Sequence, residues 1–319
     1  MKIVALDGHT LNPGDNPWTL VEALGEFVVY DKTPDESVVE RAAGAEVVLT
    51  NKVPLTAEVF DQLPGLKFVS VTATGYNVVD VEAARARGIS VSNIPVYGTD
   101  SVAQYTLALL LELCHDVGHH SERVHEGGWI ESGYWSFWDT PLTELSGKVL
   151  GLVGFGRIGQ RVGQLAHAFG MEVWAYAPTP KDDPGYAPFA FKSSVEEIFA
   201  GADVVSLHCP QTADNAGFVN AALLGSMKEN SLFINTARGG LVDEAALAEA
   251  LRAGRPRAAA TDVASAEPIG NDNPLLGAPN LIMTPHIAWA TVEARGRLMQ
   301  MTADNIAAYQ KGAPIHVVN

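Results

Sequence analysis

The segment from Lys148 to Gly159 reads KVLGLVGFGRIG, in which an apolar run leads into glycines with the spacing G-x-G-x-x-G. The spacing alone is a weak indication, because a chain with 30 glycines produces chance matches. Its surroundings strengthen it. Residues 149–153 predict a buried strand, and apolar residues then recur with helical spacing at Ile158, Val162, Leu165, Ala166 and Phe169. The pattern predicts a strand, a tight turn and a helix that ends at Gly170.

Each glycine has a physical task if this turn binds a dinucleotide. Gly154 permits the tight turn, Gly156 lets the backbone approach a pyrophosphate, and Gly159 lets the helix pack against the strand. Backbone amides around Arg157 and Ile158 would then meet the phosphates. The alternative is a glycine-rich turn without a ligand, but strand, spacing and helix together favour the dinucleotide site.

The position that distinguishes NAD from NADP holds no acid. An NAD site usually carries Asp or Glu at the end of the second strand, where it holds the ribose hydroxyls. Residues 172–176 predict that strand, and the next residue is Ala177. Thr179 and Lys181 lie just beyond, which suits a 2′-phosphate, whereas the acidic pair at 182–183 argues mildly against one. We therefore expect NAD(H) or NADP(H) as cofactor, with the preference undecided.

The rest of the chain alternates short apolar runs with helical stretches. This rhythm predicts parallel strands that are covered on both faces, in an open, doubly wound α/β sheet. It is interrupted at residues 115–146, so we expect two α/β domains. A helix at 101–113, which begins with a capping-box pattern at Ser101, is apolar on nearly every face. The candidate strands are residues 3–6, 47–50, 67–72, 89–92, 149–153, 172–176, 203–207, 231–235, 257–261 and 281–283.

Composition excludes several classes of protein. Of 319 residues, 21 are Lys or Arg and 37 are Asp or Glu, which gives a net charge of −16. A chain this acidic is a poor partner for nucleic acid or an anionic membrane, and its net charge also disfavours anionic ligands. Its two cysteines lie in apolar surroundings, as reduced thiols do, and no signal peptide or membrane span is evident. We expect a cytoplasmic protein.

Three ionisable residues follow predicted strands at the edge where open α/β sheets place their chemistry: Arg238, Glu267 and His286. An arginine can bind a carboxylate through two parallel hydrogen bonds, and a histidine can exchange a proton near neutral pH. A glutamate beside that histidine can hold it charged. From the residues alone, an ordinary ion pair between Arg238 and Glu267, with a structural histidine, is equally acceptable.

The order of these motifs resembles that of the D-isomer-specific 2-hydroxyacid dehydrogenases, and within them most of all the hydroxypyruvate and glyoxylate reductases. The resemblance runs almost from end to end. It rests on residues 74–80, 101–111, 151–159, 208–210, 235–241, 261–268 and 285–288.

The resemblance implies two Rossmann-like domains, of which the first is discontinuous. Residues 1–100 with 288–319 would form the substrate-binding domain, and residues 101–287 the dinucleotide-binding domain. Arg238 would bind the 2-oxo acid while hydride passes from the nicotinamide to C2. His286 would protonate the developing alkoxide, and Glu267 would stabilise the charged histidine.

The resemblance also assigns binding residues. Backbone amides of Ala73, Thr74, Gly75 and Tyr76 would bind the substrate carboxylate, and Trp138 would close over the substrate of a neighbouring subunit, although plain interface packing is favoured for it. The remaining cofactor residues would be His208, Cys209, Pro210, Thr236, Ala237, Asp262 and Ala288.

The expected activity is reduction of hydroxypyruvate or glyoxylate to the D-2-hydroxy acid. Alternatives are a D-lactate- or phosphoglycerate-type dehydrogenase and, from a different class, a co-repressor-like protein that senses NAD(H). We expect a homodimer with a small-molecule substrate. We expect no metal, because the histidines at 115–125 lack a third ligand.

Overall fold

The computed structural model describes residues 1–179 and 181–319. The chain divides into two compact units. The first consists of Met1–Gly98 together with Trp289–Asn319, and the second is Thr99–Ala288. The first unit is therefore built from two separate stretches of chain.

Strands and helices alternate along most of the chain. The strands are β1 Lys2–Ala5, β2 Glu26–Val29, β3 Val47–Thr50, β4 Phe68–Val71, β5 Ser90–Ser92, β6 Val149–Val153, β7 Glu172–Tyr176, β8 Phe189–Phe191, β9 Val204–Leu207, β10 Leu232–Asn235, β11 Ala258–Thr261 and β12 Leu281–Met283. The α-helices are α1 Thr19–Glu22, α2 Val38–Ala42, α3 Ala57–Asp61, α4 Val81–Ala86, α5 Thr99–His115, α6 Val117–His125, α7 Gly128–Ser132, α8 Arg157–Ala168, α9 Val195–Gly201, α10 Ala221–Ser226, α11 Glu244–Arg252 and α12 Val292–Gln310.

The first unit contains a parallel sheet in the order β2-β1-β3-β4-β5. Successive residues of β1 belong to different core clusters: Val4 packs in one, and Ile3 and Ala5 pack in the other. Both faces of the sheet are thus covered, which explains the continuous apolar runs. The C-terminal helix α12 belongs to this unit because Leu298 and Ile306 join the second of these clusters.

The second unit contains a parallel sheet in the order β12-β11-β10-β9-β6-β7-β8. Leu150 and Leu152 of β6 pack in one cluster, whereas Val153 packs in another. The long helix α5 contributes Leu107 and Leu110 to the first cluster. The doubly wound α/β fold that the sequence predicts is confirmed for both units.

Two strands were not predicted from the sequence. Glu26–Val29 and Phe189–Phe191 lie at the edges of their sheets, and none of their residues is fully buried. Each offers an apolar run of only three residues within the strand. The capping box predicted at Ser101 is wrong, because the helix begins at Thr99 and the Ser101 hydroxyl donates to the carbonyl of Ala288 (2.6 Å).

The interruption at 115–146 contains α6 and α7 and, among the residues described, no strand. Across residues 1–179 and 181–319, no helix is both long enough and apolar enough to cross a bilayer.

Candidate active site

The carboxyl ends of the second unit's strands meet at one edge of its sheet, because every pair is parallel. At β6 the connections diverge, since β6 pairs with β7 on one side and with β9 on the other. Such a switch point is where open α/β sheets bind their ligands. The loops at this edge carry the second unit's predicted cofactor and catalytic residues, apart from Trp138, at 154–159, 177, 208–210, 235–238, 262–267 and 284–288.

Contacts within the protein explain two of the three motif glycines. Gly154 has φ +100°, and a Cβ there would lie 2.5 Å from the carbonyl carbon of His208. A Cβ on Gly159 would overlap the carbonyl oxygen of Gly154. Both positions exclude any larger residue, because the turn, the helix and the loop after β9 approach one another closely.

Nothing within the protein explains the third glycine. Gly156 has an ordinary φ of −78°, and a Cβ there would meet no protein atom within 4 Å. The bare backbone faces open space at the start of α8, where the amides of the first helical turn are not used by the helix itself. A pyrophosphate fits this position, because it requires a close backbone approach and amide donors.

The loop after β7 carries the neutral position predicted from sequence. Ala177 is half-buried against the core cluster that contains Leu152 and Ala175. Thr179 and Lys181 are exposed, whereas Pro180 lies outside the described residues. The residue that directly follows β7 is therefore a half-buried alanine and not a carboxylate.

His208 and Cys209 form an uncharged wall beside the glycine turn. Burial lowers the pKa of His208 to about 3, so the ring is neutral at physiological pH, and its Nε2 lies 2.9 Å from the Ser206 hydroxyl. Burial raises the pKa of the Cys209 thiol, which keeps it protonated. Neither residue is poised as a nucleophile. Pro210 follows them and is exposed.

A buried asparagine shapes the loop that carries Arg238. Asn235 ends β10, and its side chain accepts from the amide of Ala237 (3.0 Å) and donates to the carbonyl of Arg238 (2.9 Å). The Arg238 residue is exposed, and one guanidinium nitrogen donates to the carbonyl of Ala237 (2.7 Å). The rest of the guanidinium fork can reach a carboxylate ligand. Thr236, in the same loop, contacts the hydroxyl of Thr106 on α5 (3.0 Å).

The structure brings Glu267 and His286 together. Oε2 of Glu267 lies 2.7 Å from Nδ1 of His286. Because a carboxylate only accepts, Nδ1 carries the hydrogen and Nε2 is left to face a ligand. The two side chains are 30% and 27% exposed, which is enough for a small substrate to reach the ring.

Asp262 has a role that was not predicted from the sequence. It is buried, and its Oδ1 accepts from the Thr284 hydroxyl (2.6 Å) and the amide of Ile287 (2.9 Å). Oδ2 accepts from the amide of Ala288 (2.8 Å). These bonds enclose His286, which has the unusual φ of +56°. The available sequence signal was a polar residue at the carboxyl end of an apolar strand: Asn235 is the last residue of β10, and Asp262 directly follows β11.

The first unit carries the remaining predicted binding segment. Ala73–Tyr76 follows β4, and the Thr74 hydroxyl donates to the carbonyl of Ile94 (2.7 Å). The carbonyls of Ala73 and Thr74 accept from Ile94 and Asn93. Within the described residues, no protein group accepts from the amides of Ala73–Tyr76. Free consecutive amides of this kind can bind an anion.

Trp138 is exposed and lies next to an anchored acid. Asp139 accepts from Arg123 (3.0 Å) and pairs with His119 (2.9 Å), while its amide donates to His120 (3.1 Å). Two of the four histidines at 115–125, His119 and His120, thus contact the residue that follows Trp138. Among the described residues there is no group of three or more His, Cys, Asp or Glu side chains arranged for a metal ion.

Taken together, the fold and the residues at this edge define a two-domain, dinucleotide-dependent dehydrogenase. Residues 107–288 match the NAD-binding domain of the D-isomer specific 2-hydroxyacid dehydrogenases. The chain belongs to this family.

Individual relatives agree with this assignment. The chain is 48% identical to a hydroxypyruvate reductase of Blautia hydrogenotrophica, with 100% of both chains covered. It is 38% identical to a glycerate dehydrogenase of Methylorubrum extorquens, covering 99% of this chain and 98% of the relative. An NADPH-dependent glyoxylate/hydroxypyruvate reductase of Sinorhizobium meliloti, solved in complex with NADP and malonate, superposes with a TM-score of 0.84 at 29% identity and covers 99% of this chain and 96% of its own.

Proposed function

We propose that the protein reduces a small 2-oxo acid, hydroxypyruvate or glyoxylate, to the D-2-hydroxy acid with NADH or NADPH. The observation that carries this proposal is the 2.7 Å contact between Glu267 and His286, at the same sheet edge as Arg238 and the glycine turn. The identity of 48% to a hydroxypyruvate reductase supports the choice of substrate class.

Arg238 binds the substrate in this proposal. Its guanidinium is always charged and offers parallel N–H donors to the carboxylate and the carbonyl oxygen of a 2-oxo acid. The side chain of the buried Asn235 binds the amide of Ala237 and the carbonyl of Arg238, so this loop is ordered before the substrate binds. Charge that develops on the carbonyl oxygen is stabilised by the same cation.

His286 supplies the proton. Its Nε2 faces the ligand side, and protonation of the alkoxide there completes the reduction at C2. Glu267 accepts from Nδ1, which fixes the ring orientation and favours the charged imidazolium before the proton is given up. Asp262 holds the loop around His286 in its left-handed backbone conformation.

The cofactor would be held by the amides at the start of α8 and by Arg157 and Ile158. His208, Cys209 and Pro210 would form one wall of its site, and Thr236, Ala237 and Ala288 would line the nicotinamide pocket. When bound in reduced form, the nicotinamide supplies the hydride. Ala177 would accept either cofactor, since it neither binds the ribose hydroxyls nor repels a 2′-phosphate.

The first test is a steady-state survey. NADH and NADPH oxidation is followed by absorbance with hydroxypyruvate, glyoxylate, pyruvate and 3-phosphohydroxypyruvate. We expect turnover with hydroxypyruvate or glyoxylate to exceed turnover with the other two acids. Faster reduction of pyruvate or of the phosphorylated acid would replace this proposal by the D-lactate or phosphoglycerate activity. Binding of NAD(H) without any turnover would indicate the sensor class.

The second test is His286→Ala. Loss of the proton donor should lower kcat by at least ~10²-fold, the lower end of what a general acid contributes. Cofactor affinity, measured by quenching of protein fluorescence, should stay within about twofold of wild type. A collapse of cofactor affinity with retained kcat would mean that another group gives the proton.

We further assign the amides of Ala73–Tyr76 to the substrate carboxylate, and the first unit to substrate binding. Gly75→Pro removes one of these donors and should raise the KM for the acid without changing cofactor affinity.

We also propose a homodimer in the cytoplasm. Trp135 and Ile130, 89% and 87% exposed, are apolar surface for a second copy. Light scattering and cell fractionation test these two points.

A further inference from the structure

Glu244, the first residue of α11, contacts a segment of chain that it does not belong to. Its Oε1 accepts from the amide of Ser265 (2.7 Å). Its Oε2 accepts from the Ser265 hydroxyl (2.6 Å) and from the side-chain amide of Asn273 (2.8 Å). One carboxylate thus receives three hydrogen bonds, each to an ionised acceptor and therefore stronger than a bond between neutral groups.

The two residues that Glu244 holds lie on either side of Glu267. Residues 265–272 are all exposed, and the nearest buried apolar side chains are Val263 before them and Leu275 after them. Apolar packing of residues 265–272 therefore does not hold this segment. Within it, Glu267 accepts from the amide of Ala264 (3.2 Å).

The chain that carries Arg238 meets the same segment. A Cβ on Gly239 would overlap the peptide between Ala264 and Ser265, so the two backbones touch immediately after Arg238. Glu244 follows on the same stretch and adds its three hydrogen bonds at the adjacent residue. The contacts of Gly239 and Glu244 therefore fix the 264–274 segment, which carries Glu267, relative to the loop that carries Arg238.

We propose that Glu244 is a positioning residue for the Glu267–His286 pair, acting on the reaction through the 264–274 segment. This inference rests on the proposed function. Loss of the carboxylate removes the three hydrogen bonds to the residues on either side of Glu267, which weakens the contact of Glu267 with Nδ1 of His286. Arg238 and the glycine turn keep their own contacts, so binding of substrate and cofactor is not affected.

The primary test uses Glu244→Ala, with Glu249→Gln as the matched control. Glu249 lies on the same helix, is exposed and pairs only with Arg252 among the described contacts. For Glu244→Ala we expect kcat to fall about tenfold, below the ~10²-fold that a 1 Å misplacement can cause. KM and cofactor affinity should remain within about twofold. The basic limb of the pH–rate profile should move to lower pH, and Glu249→Gln should change none of these.

The same measurements in a Glu267→Gln background decide whether Glu244 acts through Glu267. If it does, adding Glu244→Ala to Glu267→Gln lowers kcat no further. An equal tenfold loss in both backgrounds would overturn the proposal, as would a wild-type pH profile in Glu244→Ala. Failure of the wild-type enzyme to reduce any 2-oxo acid would instead overturn the proposed function, so the two failures are distinguishable.

If Glu244→Ala folds poorly, the proposal can still be tested with a pair of substitutions that exchanges the carboxylate and the amide between positions 244 and 273. In Glu244→Gln the new NH₂ group faces a donor in either orientation, the side-chain amide of Asn273 or the backbone amide of Ser265. Asn273→Asp alone places two carboxylates opposite each other. Combining the two restores a donor opposite an acceptor, and the aspartate can still accept from the amide of Leu275 as Asn273 does (2.9 Å). We expect both single variants to lose activity and the double variant to recover it.

Hydrogen–deuterium exchange on the protein without cofactor gives a readout that is independent of turnover. Amides of 264–274 should exchange faster in Glu244→Ala than in wild type, and at the wild-type rate in Glu249→Gln. Unchanged exchange in that segment, or no recovery in the double variant, would show that Glu244 does not hold it.

Discussion

Gly156→Ala should separate cofactor binding from folding. The residue has φ −78° and an added Cβ meets no protein atom within 4 Å, so the folded chain accepts alanine without a clash. A Gly→Ala change at such a site stabilises by about 0.4–1 kcal/mol through the unfolded state. Alanine is a poorer N-cap than glycine by a similar amount. We therefore expect the free energy of unfolding to stay within about 1 kcal/mol of wild type.

The cofactor should respond very differently. The new methyl group occupies the space through which the pyrophosphate reaches the amides of α8. A hydrogen bond to a charged group contributes about 1.5–3 kcal/mol, so loss of one such bond weakens NADH and NADPH binding about 10- to 100-fold. The assay pairs fluorescence titration of both cofactors with urea denaturation of the cofactor-free protein.

Gly159→Ala is the contrasting variant. Its Cβ overlaps the carbonyl oxygen of Gly154, so it should destabilise the protein by ~2 kcal/mol or more before any cofactor is added. Opposite behaviour of the two glycines supports the pyrophosphate position. Wild-type cofactor affinity in Gly156→Ala would refute the reasoning, since it would show that the open space at the start of α8 is not where the dinucleotide binds.

Three further outcomes follow from the same structure. Ala177→Asp adds an acceptor for the ribose hydroxyls and repels a 2′-phosphate, so the ratio of kcat/KM for NADH over NADPH should rise at least tenfold; an unchanged ratio would place the discriminating residue elsewhere. Asp262→Asn leaves the amide of either Ile287 or Ala288 facing the new NH₂ donor, which should cost about 1–3 kcal/mol of stability and lower kcat with it. The free energy of unfolding and kcat of the same preparation check both effects. If both have wild-type values, Asp262 does not hold the loop around His286. His208, with its pKa lowered to about 3, stays neutral in the folded protein while the unfolded chain takes up a proton below its usual value of 6.5. Between pH 7.5 and pH 5 the wild type should therefore lose up to about 2 kcal/mol more stability than His208→Gln, and equal losses would show that the ring is protonated in the fold.

Hydrophobic patterning predicted the second unit's sheet well because its central strands are buried on both faces. Leu150 and Leu152 pack on one side of β6 and Val153 on the other, so the strand reads as a continuous apolar run. The edge strand Phe189–Phe191 is apolar but half-exposed and only three residues long, and it was not predicted. The pattern identified the other six strands of this sheet, which include the edge strand Leu281–Met283.

The proposed catalytic residues could be predicted only in part from the sequence. Arg238, Glu267 and His286 stand after strands, which placed them at one edge, but the spacing could not show which of them touch. The Glu267–His286 contact depends on a left-handed backbone at His286 and on the buried Asp262 that holds it. Such long-range hydrogen bonds have no periodic signature in sequence, so resemblance to a family was needed to choose between catalysis and a structural ion pair.

The net charge of −16 looks ill suited to a protein whose proposed ligands are both anions. The hydrogen-bond partners of the acidic side chains near the site explain why this charge does not exclude anions. Glu267 faces His286, Asp262 faces the hydroxyl and amides of the loop around His286, and Glu244 faces the segment that carries Glu267. These carboxylates accept from donors of the protein itself, so Arg238 and the amides at the start of α8 are the groups proposed to bind the ligand. Exposed acids farther away are screened beyond ~8 Å at physiological salt. Negative charge at this edge therefore organises the groups that bind anions, and the total charge of the chain does not decide what the site accepts.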